Sequence, residues 1–276
     1  MSLLPAGRRP ARVLGSIPPI SSTRMPKLSA VLIAQNEEDR IEAALRSVAF
    51  CDEVLVVDGG SSDSTVARVN AAGARLLERK FDGFVAQKNF AIDYAHHDIV
   101  LSLDADEEVS HGLRKEIQDL CALPSLPKPG YRIPRVTHYL GREIRATDWY
   151  PDRQLRLFDR RRGRVAGDLV HESVQVEGPV GSLLGEIIHR PYRNEEDHLQ
   201  RIDRYTTLWA RAEYEKGRRA RLGAGEAAAA FAFLRNYVFK GGLWLGRVGY
   251  RISSLNAFYV RQKFAKLKAL EASRPR

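Results

Sequence analysis

Residues 101–108 read LSLDADEE, an apolar run that stops on Asp104-Ala105-Asp106-Glu107-Glu108. With Asp98 to Val100 before it, the run has the length and composition of a short strand, and it ends on an acidic cluster. Two carboxylates one residue apart at a strand end can share a hard divalent cation, which in turn can hold a diphosphate. The triplet alone is a weak sign, because acidic turns produce it by chance. Its weight comes from what precedes it.

Leu28–Ala34 (LSAVLIA) and Glu53–Val57 (EVLVV) are aliphatic runs of the kind buried on both faces, and residues 74–78 (ARLLE) suggest a third strand. Between them EEDRIEAALRSV sets Ile41, Leu45 and Val48 at helical spacing with acids in the first turn, and Thr65–Ala72 and Gln87–His96 read as further helices. Strands alternating with helices predict an α/β fold with a mainly parallel sheet, whose ligands sit at the carboxyl ends of the strands. Asn36-Glu37, Asp58 to Asp63 and Asp104 to Glu108 all follow strand ends, so their polar groups converge on one rim.

Beyond Pro124–Pro129, a proline-rich hinge, Tyr131–Thr137, Gln154–Phe158 and Val170–Val176 alternate like half-exposed strands, with turns at Gly141, Gly163 and Gly178. From Asn194 the texture is helical: Leu199, Ile202, Tyr205, Leu208 and Trp209 recur at three and four residues, and helices are expected over Ala224–Phe239 and Ser253–Leu270. The organisation expected is a flexible extension over 1–26, a catalytic domain over 27–193 with halves 27–123 and 130–193, and a helical region over 194–276. Met25 is a second candidate start.

The chain of 276 residues is 44% hydrophobic and 28% charged, which excludes a wholly disordered or fibrous protein. Its two cysteines, Cys51 and Cys121, make no disulfide framework and lack metal-ligand spacing, which points to a reducing cytoplasmic setting. The net charge of +10 is uneven: residues 201–276 hold 17 basic and 5 acidic residues, a net of +12 that leaves −2 for the rest. Such a segment, interleaved with aromatics, suits an anionic membrane surface or a nucleic acid. No apolar stretch approaches the ~18 to 20 residues of a spanning helix, and the N-terminal residues lack a signal-peptide core.

Dehalogenase-type phosphatases also carry Asp-X-Asp, but on their first strand and with Thr or Val where Glu108 stands here. A nucleotidyltransferase needs a glycine-rich basic loop after its first strand, whereas AQNEED is acidic and has no glycine. The succession VLIAQNEEDRIEAALRSV, CDEVLVVDGGSSDST, GFVAQKNFAIDYA, LSLDADEEV, WYPDRQLRLF and VHESV resembles the family 2 glycosyltransferases of GT-A fold. Within them it is most similar to bacterial enzymes that add a glucose-type sugar to the inner-core heptose of lipopolysaccharide.

That resemblance implies that Ala34, Asn36, Glu37 and Asp58 line the nucleotide pocket, that Lys88 contacts the nucleotide or diphosphate, and that Asp104 and Asp106 touch the ribose and a Mg²⁺ or Mn²⁺ ion. His171 would complete the metal shell. Two carboxylates compete as base for the acceptor hydroxyl, Asp152 first and Glu172 second; Asp152 has Arg153 and Arg156 as alternative ion-pair partners. Asp58 and Asp63 also have a local role open to them, in turn formation and helix capping. His189, after GEIIH, is placed on the acceptor side. The implied reaction is inverting transfer, with UDP-glucose as donor and a lipid-linked saccharide as acceptor. The implied location is the cytoplasmic side of the bacterial inner membrane, held peripherally on its anionic surface, with no nucleic acid as partner. The competing readings are a transferase acting on polyprenyl phosphate and a non-catalytic nucleic-acid module on the same fold.

Overall fold

The apolar runs of the first half become adjacent parallel strands. The structure, a computed structural model, describes residues 25–167, 172–220 and 223–272; nearly all of the expected N-terminal extension lies outside them. In chain order β1 (Leu28–Ala34), α1 (Ile41–Val48), β2 (Glu53–Asp58), α2 (Thr65–Ala71), β3 (Arg75–Glu78), α3 (Phe84–Tyr94) and β4 (Ile99–Asp104) alternate. Their sheet order is β3-β2-β1-β4, parallel throughout. Successive residues of β1 serve opposite faces: Ala30 and Leu32 pack with Ile41, Leu45 and Val48 of α1, while Val31 packs with Ala91 and Ile92 of α3. Burial on both faces is why these strands read as unbroken apolar runs. The chain moves outward from β1 to β3 and then returns to the far side of β1 for β4, so a crevice opens at the carboxyl ends of β1 and β4.

The second half extends the same sheet in mixed directions. It comprises β5 (Glu107–Val109), α4 (His111–Cys121), β6 (Gly130–Tyr139), β7 (Arg142–Ile144), β8 (Asp152–Asp159), β9 (Gly163–Ala166), β10 (Ser173–Val176), β11 (Val180–Ser182) and β12 (Ile187–His189). β8 runs antiparallel to β4, β6 antiparallel to β8, β12 parallel to β6, and β5 antiparallel to β12. β9 and β10 form a separate ribbon. β6 is mostly buried, not half-exposed as its alternation suggests, because strands flank it on both sides. The acidic cluster also departs from a plain rim loop: Glu107 enters β5 and is wholly buried. Of the strand expected over Val170–Val176, Ser173–Val176 is present and residues 170–171 lie outside the described residues.

The C-terminal helices are α5 (Glu195–Glu215), α6 (Ala224–Leu234) and α7 (Arg247–Ala272). Asn194 caps α5 by accepting the Asp197 N–H at 2.8 Å, and three acids fill the first turn. α6 gives way to a wider turn over Arg235–Phe239, and α7 begins at Arg247, ahead of the expected Ser253. The tip between α6 and α7 is held by a close backbone approach: a Cβ on Gly249 would lie 1.8 Å from the Gly242 carbonyl oxygen. α7 packs on α5 through Phe264 and Trp209, with ring centroids 5.8 Å apart. A cluster of Tyr139, Ile144, Ile202, Ile252 and Leu255 joins these helices to the β6–β7 hairpin. Among the described residues no helix is long and apolar enough to cross a membrane, and both cysteines are free.

Candidate active site

A cleft of about 630 Å³ opens where β1 and β4 end. It is lined by Ala34, Asn36 and Glu37 after β1, Lys88 of α3, Asp104 and Asp106 after β4, Glu172 before β10, and His189 of β12. α5 and α7 close one side with Arg201, Arg204, Tyr205 and Tyr259. The fold therefore brings eight of the residues singled out in the sequence to one cavity.

Local chemistry shapes the rim. Asn36 adopts φ 56°, a left-handed conformation that asparagine tolerates, and its Oδ1 accepts the Ser62 N–H at 2.8 Å. The Glu37 N–H donates to Thr65 Oγ1 at 2.8 Å and the Glu38 N–H to Asp63 Oδ2 at 3.2 Å, lacing the loop after β1 to the loop after β2. Asp63 serves that turn. Asp58 is buried, and its carboxylate accepts the N–H groups of Gly60 and Ser61, both at 2.8 Å, and the Ser61 hydroxyl. It is not among the residues lining the cleft; what the geometry gives it is the turn role.

Charge on the cleft floor is organised around Asp104. Lys88 Nζ lies 2.9 Å from its Oδ1, and Arg156 Nη2 lies 2.8 Å from its Oδ2. Arg156 also meets Glu107 at 2.6 Å, and Arg135 reaches the same Glu107 oxygen at 2.9 Å. The other Glu107 oxygen accepts the Asp104 N–H at 3.1 Å. Burial alone would raise the pKa of Asp104, but the charges of Lys88 and Arg156 outweigh it and hold the carboxyl well below its usual range. Desolvated charges persist only when paired in this way. Arg156 is the residue that sequence reasoning missed as the partner of Asp104; the available signal was a lone cation inside the buried run LRLF.

Asp106 is held more loosely. His189 Nε2 stands 3.6 Å from its carboxylate and Arg40 Nη1 3.8 Å. Burial raises its pKa too, and His189 and Arg40 bring it below the usual value. Burial pushes Glu37 upward, Arg40 only partly offsetting it. A divalent cation fits this chemistry: Asp104 and Asp106 offer hard oxygen donors, and His189 and Arg40 stand beyond hydrogen-bond length from Asp106. His171, the expected third ligand, lies outside the described residues, and among those described no three His, Cys, Asp or Glu side chains are gathered for a metal. His189, however, stands beside Asp106 with its buried Nδ1 lacking a hydrogen-bond partner among the described residues.

The two candidate bases are separated. Glu172 lies in the cleft, 3.7 Å from Lys88 Nζ. Asp152 lies in a neighbouring recess, held by Arg135 at 2.7 Å and by Gln154 at 2.6 Å. The sequence puts Asp152 before Glu172 as base; in the fold Glu172 lines the cleft and Asp152 the recess beside it. The physical reason is register: β6 and β8 pair so that Arg135 faces Asp152, and neither Arg153 nor Arg156 takes that place.

Residues 29–166 match the family model described as Glycosyl transferase family 2. The chain is 32% identical over 258 residues to the lipopolysaccharide core biosynthesis glycosyltransferase LpsC of Rhizobium meliloti (strain 1021), covering 90% of this chain and 94% of that one. It is 28% identical over 257 residues to an uncharacterized glycosyltransferase of Rickettsia typhi, covering 89% and 88%. A solved structure of glucosyl-3-phosphoglycerate synthase from Mycobacterium tuberculosis, in complex with Mn²⁺, UDP and glucosyl-3-phosphoglycerate, overlaps 41% of this chain and 44% of that one at 26% identity and a TM-score of 0.33. A parallel sheet with its acidic strand end at the switch point, together with a match along nearly the whole length, leads to one assignment: this chain belongs to glycosyl transferase family 2 and has the GT-A fold.

Proposed function

We propose that this transferase moves glucose from UDP-glucose, with inversion, to a membrane-anchored saccharide of the lipopolysaccharide-core type. The observation that carries the proposal is the gathering, within one cleft, of Asp104, Asp106 and Lys88 with the carboxylate of Glu172. Ala34, Asn36 and Glu37 would hold the nucleotide end, with Asp58 supporting their loop from beneath. Asp104 and Asp106 would hold Mg²⁺ or Mn²⁺, which when bound supplies a Lewis acid for the diphosphate. Lys88 keeps a positive charge beside Asp104, where negative charge builds on the departing UDP. Arg156 and Glu107 keep Asp104 in place. Glu172 takes the proton from the acceptor hydroxyl as its oxygen bonds to the anomeric carbon and the bond to the diphosphate breaks on the opposite face. The products are UDP and the inverted glycoside.

The acceptor class is supported by the relative of Rhizobium meliloti and by the surface at the α6–α7 tip. Phe231, Leu234, Val238, Phe239, Leu243 and Trp244 are exposed there, beside exposed Arg235, Lys240 and Arg247. Rings and aliphatics flanked by cations match the chemistry of an anionic bilayer surface, which we place at the cytoplasmic face of the inner membrane.

Calorimetry of UDP, GDP, CDP and dTDP with Mn²⁺, Mg²⁺ or chelator tests the donor side. UDP should bind most tightly, and chelator or Asp106→Ala should weaken it about tenfold or more, the loss expected for a charge-assisted contact. Undiminished UDP affinity in chelator overturns the metal role, and preference for another nucleotide overturns the donor.

A further inference from the structure

Beside the cleft lies a second cavity, of about 290 Å³, whose walls include Arg135, Asp148, Trp149, Asp152 and Tyr192. It shares His189 with the cleft, and His189 is 3.6 Å from Asp106, so a single imidazole separates the recess from the acidic strand end. A further space of similar size joins Arg135 to Glu172, Lys88 and Asp104. We propose that this recess seats the acceptor as one uncharged pyranose ring, its C–H face on Trp149 and Tyr192 and its hydroxyls on Asp152 and Arg135. The proposal rests on the transferase reading and gives that reading its acceptor site.

Three observations carry it. The first is a fixed aromatic platform. Trp149 and Tyr192 are half-buried, 5.8 Å apart and inclined by 34°. Both pack edge-on against the buried Tyr139, at 5.3 and 5.7 Å, and Tyr192 stacks on His198 at 3.9 Å. Rings locked from behind present an apolar face at little entropic cost.

The second is charge. Arg135 is balanced by Glu107 and Asp152, and Asp148 by Arg235. No cation among these lining residues is left over to receive a phosphate or carboxylate, whereas a paired carboxylate and guanidinium still have lone pairs and N–H groups for hydroxyls. A space at the lower end of small-molecule sites suits one such ring.

The third is position. Asn236 donates to Asp148 at 3.0 Å, and the Thr147 N–H donates to the Lys240 carbonyl at 2.7 Å. The rim of the recess is therefore built on the segment that bears the exposed apolar tip. A saccharide standing on a membrane anchor would enter from that side.

The test uses the full chain carrying Trp209→Phe and Trp244→Phe, which leaves Trp149 as its sole tryptophan. Methyl L-glycero-α-D-manno-heptopyranoside is titrated with UDP and Mn²⁺ present, and Trp149 emission is followed; calorimetry reads UDP separately. Saturable quenching is expected, with Asp152→Asn raising the half-saturating concentration about tenfold while UDP affinity holds. UDP binding without any heptoside response, or a response indifferent to Asp152→Asn, overturns the recess and leaves the transferase reading standing. A heptoside response without UDP binding overturns that reading and keeps the recess as a saccharide site. A phosphorylated heptoside that binds tenfold tighter overturns the uncharged assignment.

Discussion

Replacing Phe239 and Trp244 by serine should detach the enzyme from membranes without disturbing its fold. These side chains are 76% and 86% exposed, so little packing is lost with them. Aromatic residues bury about 150 to 250 Å² each, which leaves about 150 Å² of Phe239 and about 200 Å² of Trp244 facing outward. At about 25 cal/mol per Å², complete transfer to hydrocarbon would yield about 4 and 5 kcal/mol. Rings at headgroup depth lose roughly half their water, so the pair contributes about 4 kcal/mol, or about a thousandfold in partitioning. Lys240 and Arg247 add about 1 kcal/mol each on an anionic surface, Arg235 being paired with Asp148, and salt screens that part. The assay is co-sedimentation with phosphatidylglycerol and phosphatidylcholine vesicles over a salt series. The parent should keep a salt-resistant fraction on anionic vesicles; the double variant should lose it at every ionic strength, and exchanging Lys240 and Arg247 for glutamine should cost binding at low salt alone. Equal sedimentation of parent and double variant, or failure of the parent to bind anionic vesicles, refutes the reasoning.

Two further outcomes follow from the site. Glu172→Gln should lower turnover by about 10² to 10⁴ while sparing UDP affinity, as loss of a general base does, whereas Asp152→Asn should raise the acceptor KM without that fall; stopped-time UDP release reads both, and the opposite pattern exchanges the roles. His198 is buried against Tyr192 and hydrogen-bonded to the Tyr139 hydroxyl at 3.0 Å, and burial lowers its pKa from 6.5 to about 4. Because the unfolded chain takes up this proton first, stability is complete above pH 6.5 and declines as the pH falls toward about 4, by up to about 3 kcal/mol. Urea titrations over that window measure the slope, and His198→Asn should flatten it; an unchanged slope in that variant refutes the assignment.

What the sequence discloses here follows from the range of the interactions that fix each feature. β1, β2 and β4 are legible because doubly buried strands demand apolar residues at every position, and the loops that follow them can be located once the strands are known. The pairing of Arg135 with Asp152 is not legible, since it depends on the register of β6 against β8 and on no pattern within either strand. For the same reason Glu107 reads as one more rim acid until β5 folds it inward onto Arg135 and Arg156. Nothing near His198 in the sequence marks its partner either, because Tyr139 lies 59 residues away.

The Asp-X-Asp element carries the same lesson to the chemistry. In sequence its two carboxylates are equivalent donors one residue apart. In the fold Asp104 has a cation within 3 Å of each oxygen, Lys88 on one and Arg156 on the other, while His189 Nε2 and Arg40 Nη1 stand 3.6 and 3.8 Å from Asp106. A divalent ion bound here would compete with two short ion pairs at Asp104 but with none at Asp106. On the proposed mechanism Asp106 would therefore be the carboxylate free to exchange partners as nucleotide arrives and leaves, and Asp104 the fixed point that would keep Lys88 beside the diphosphate.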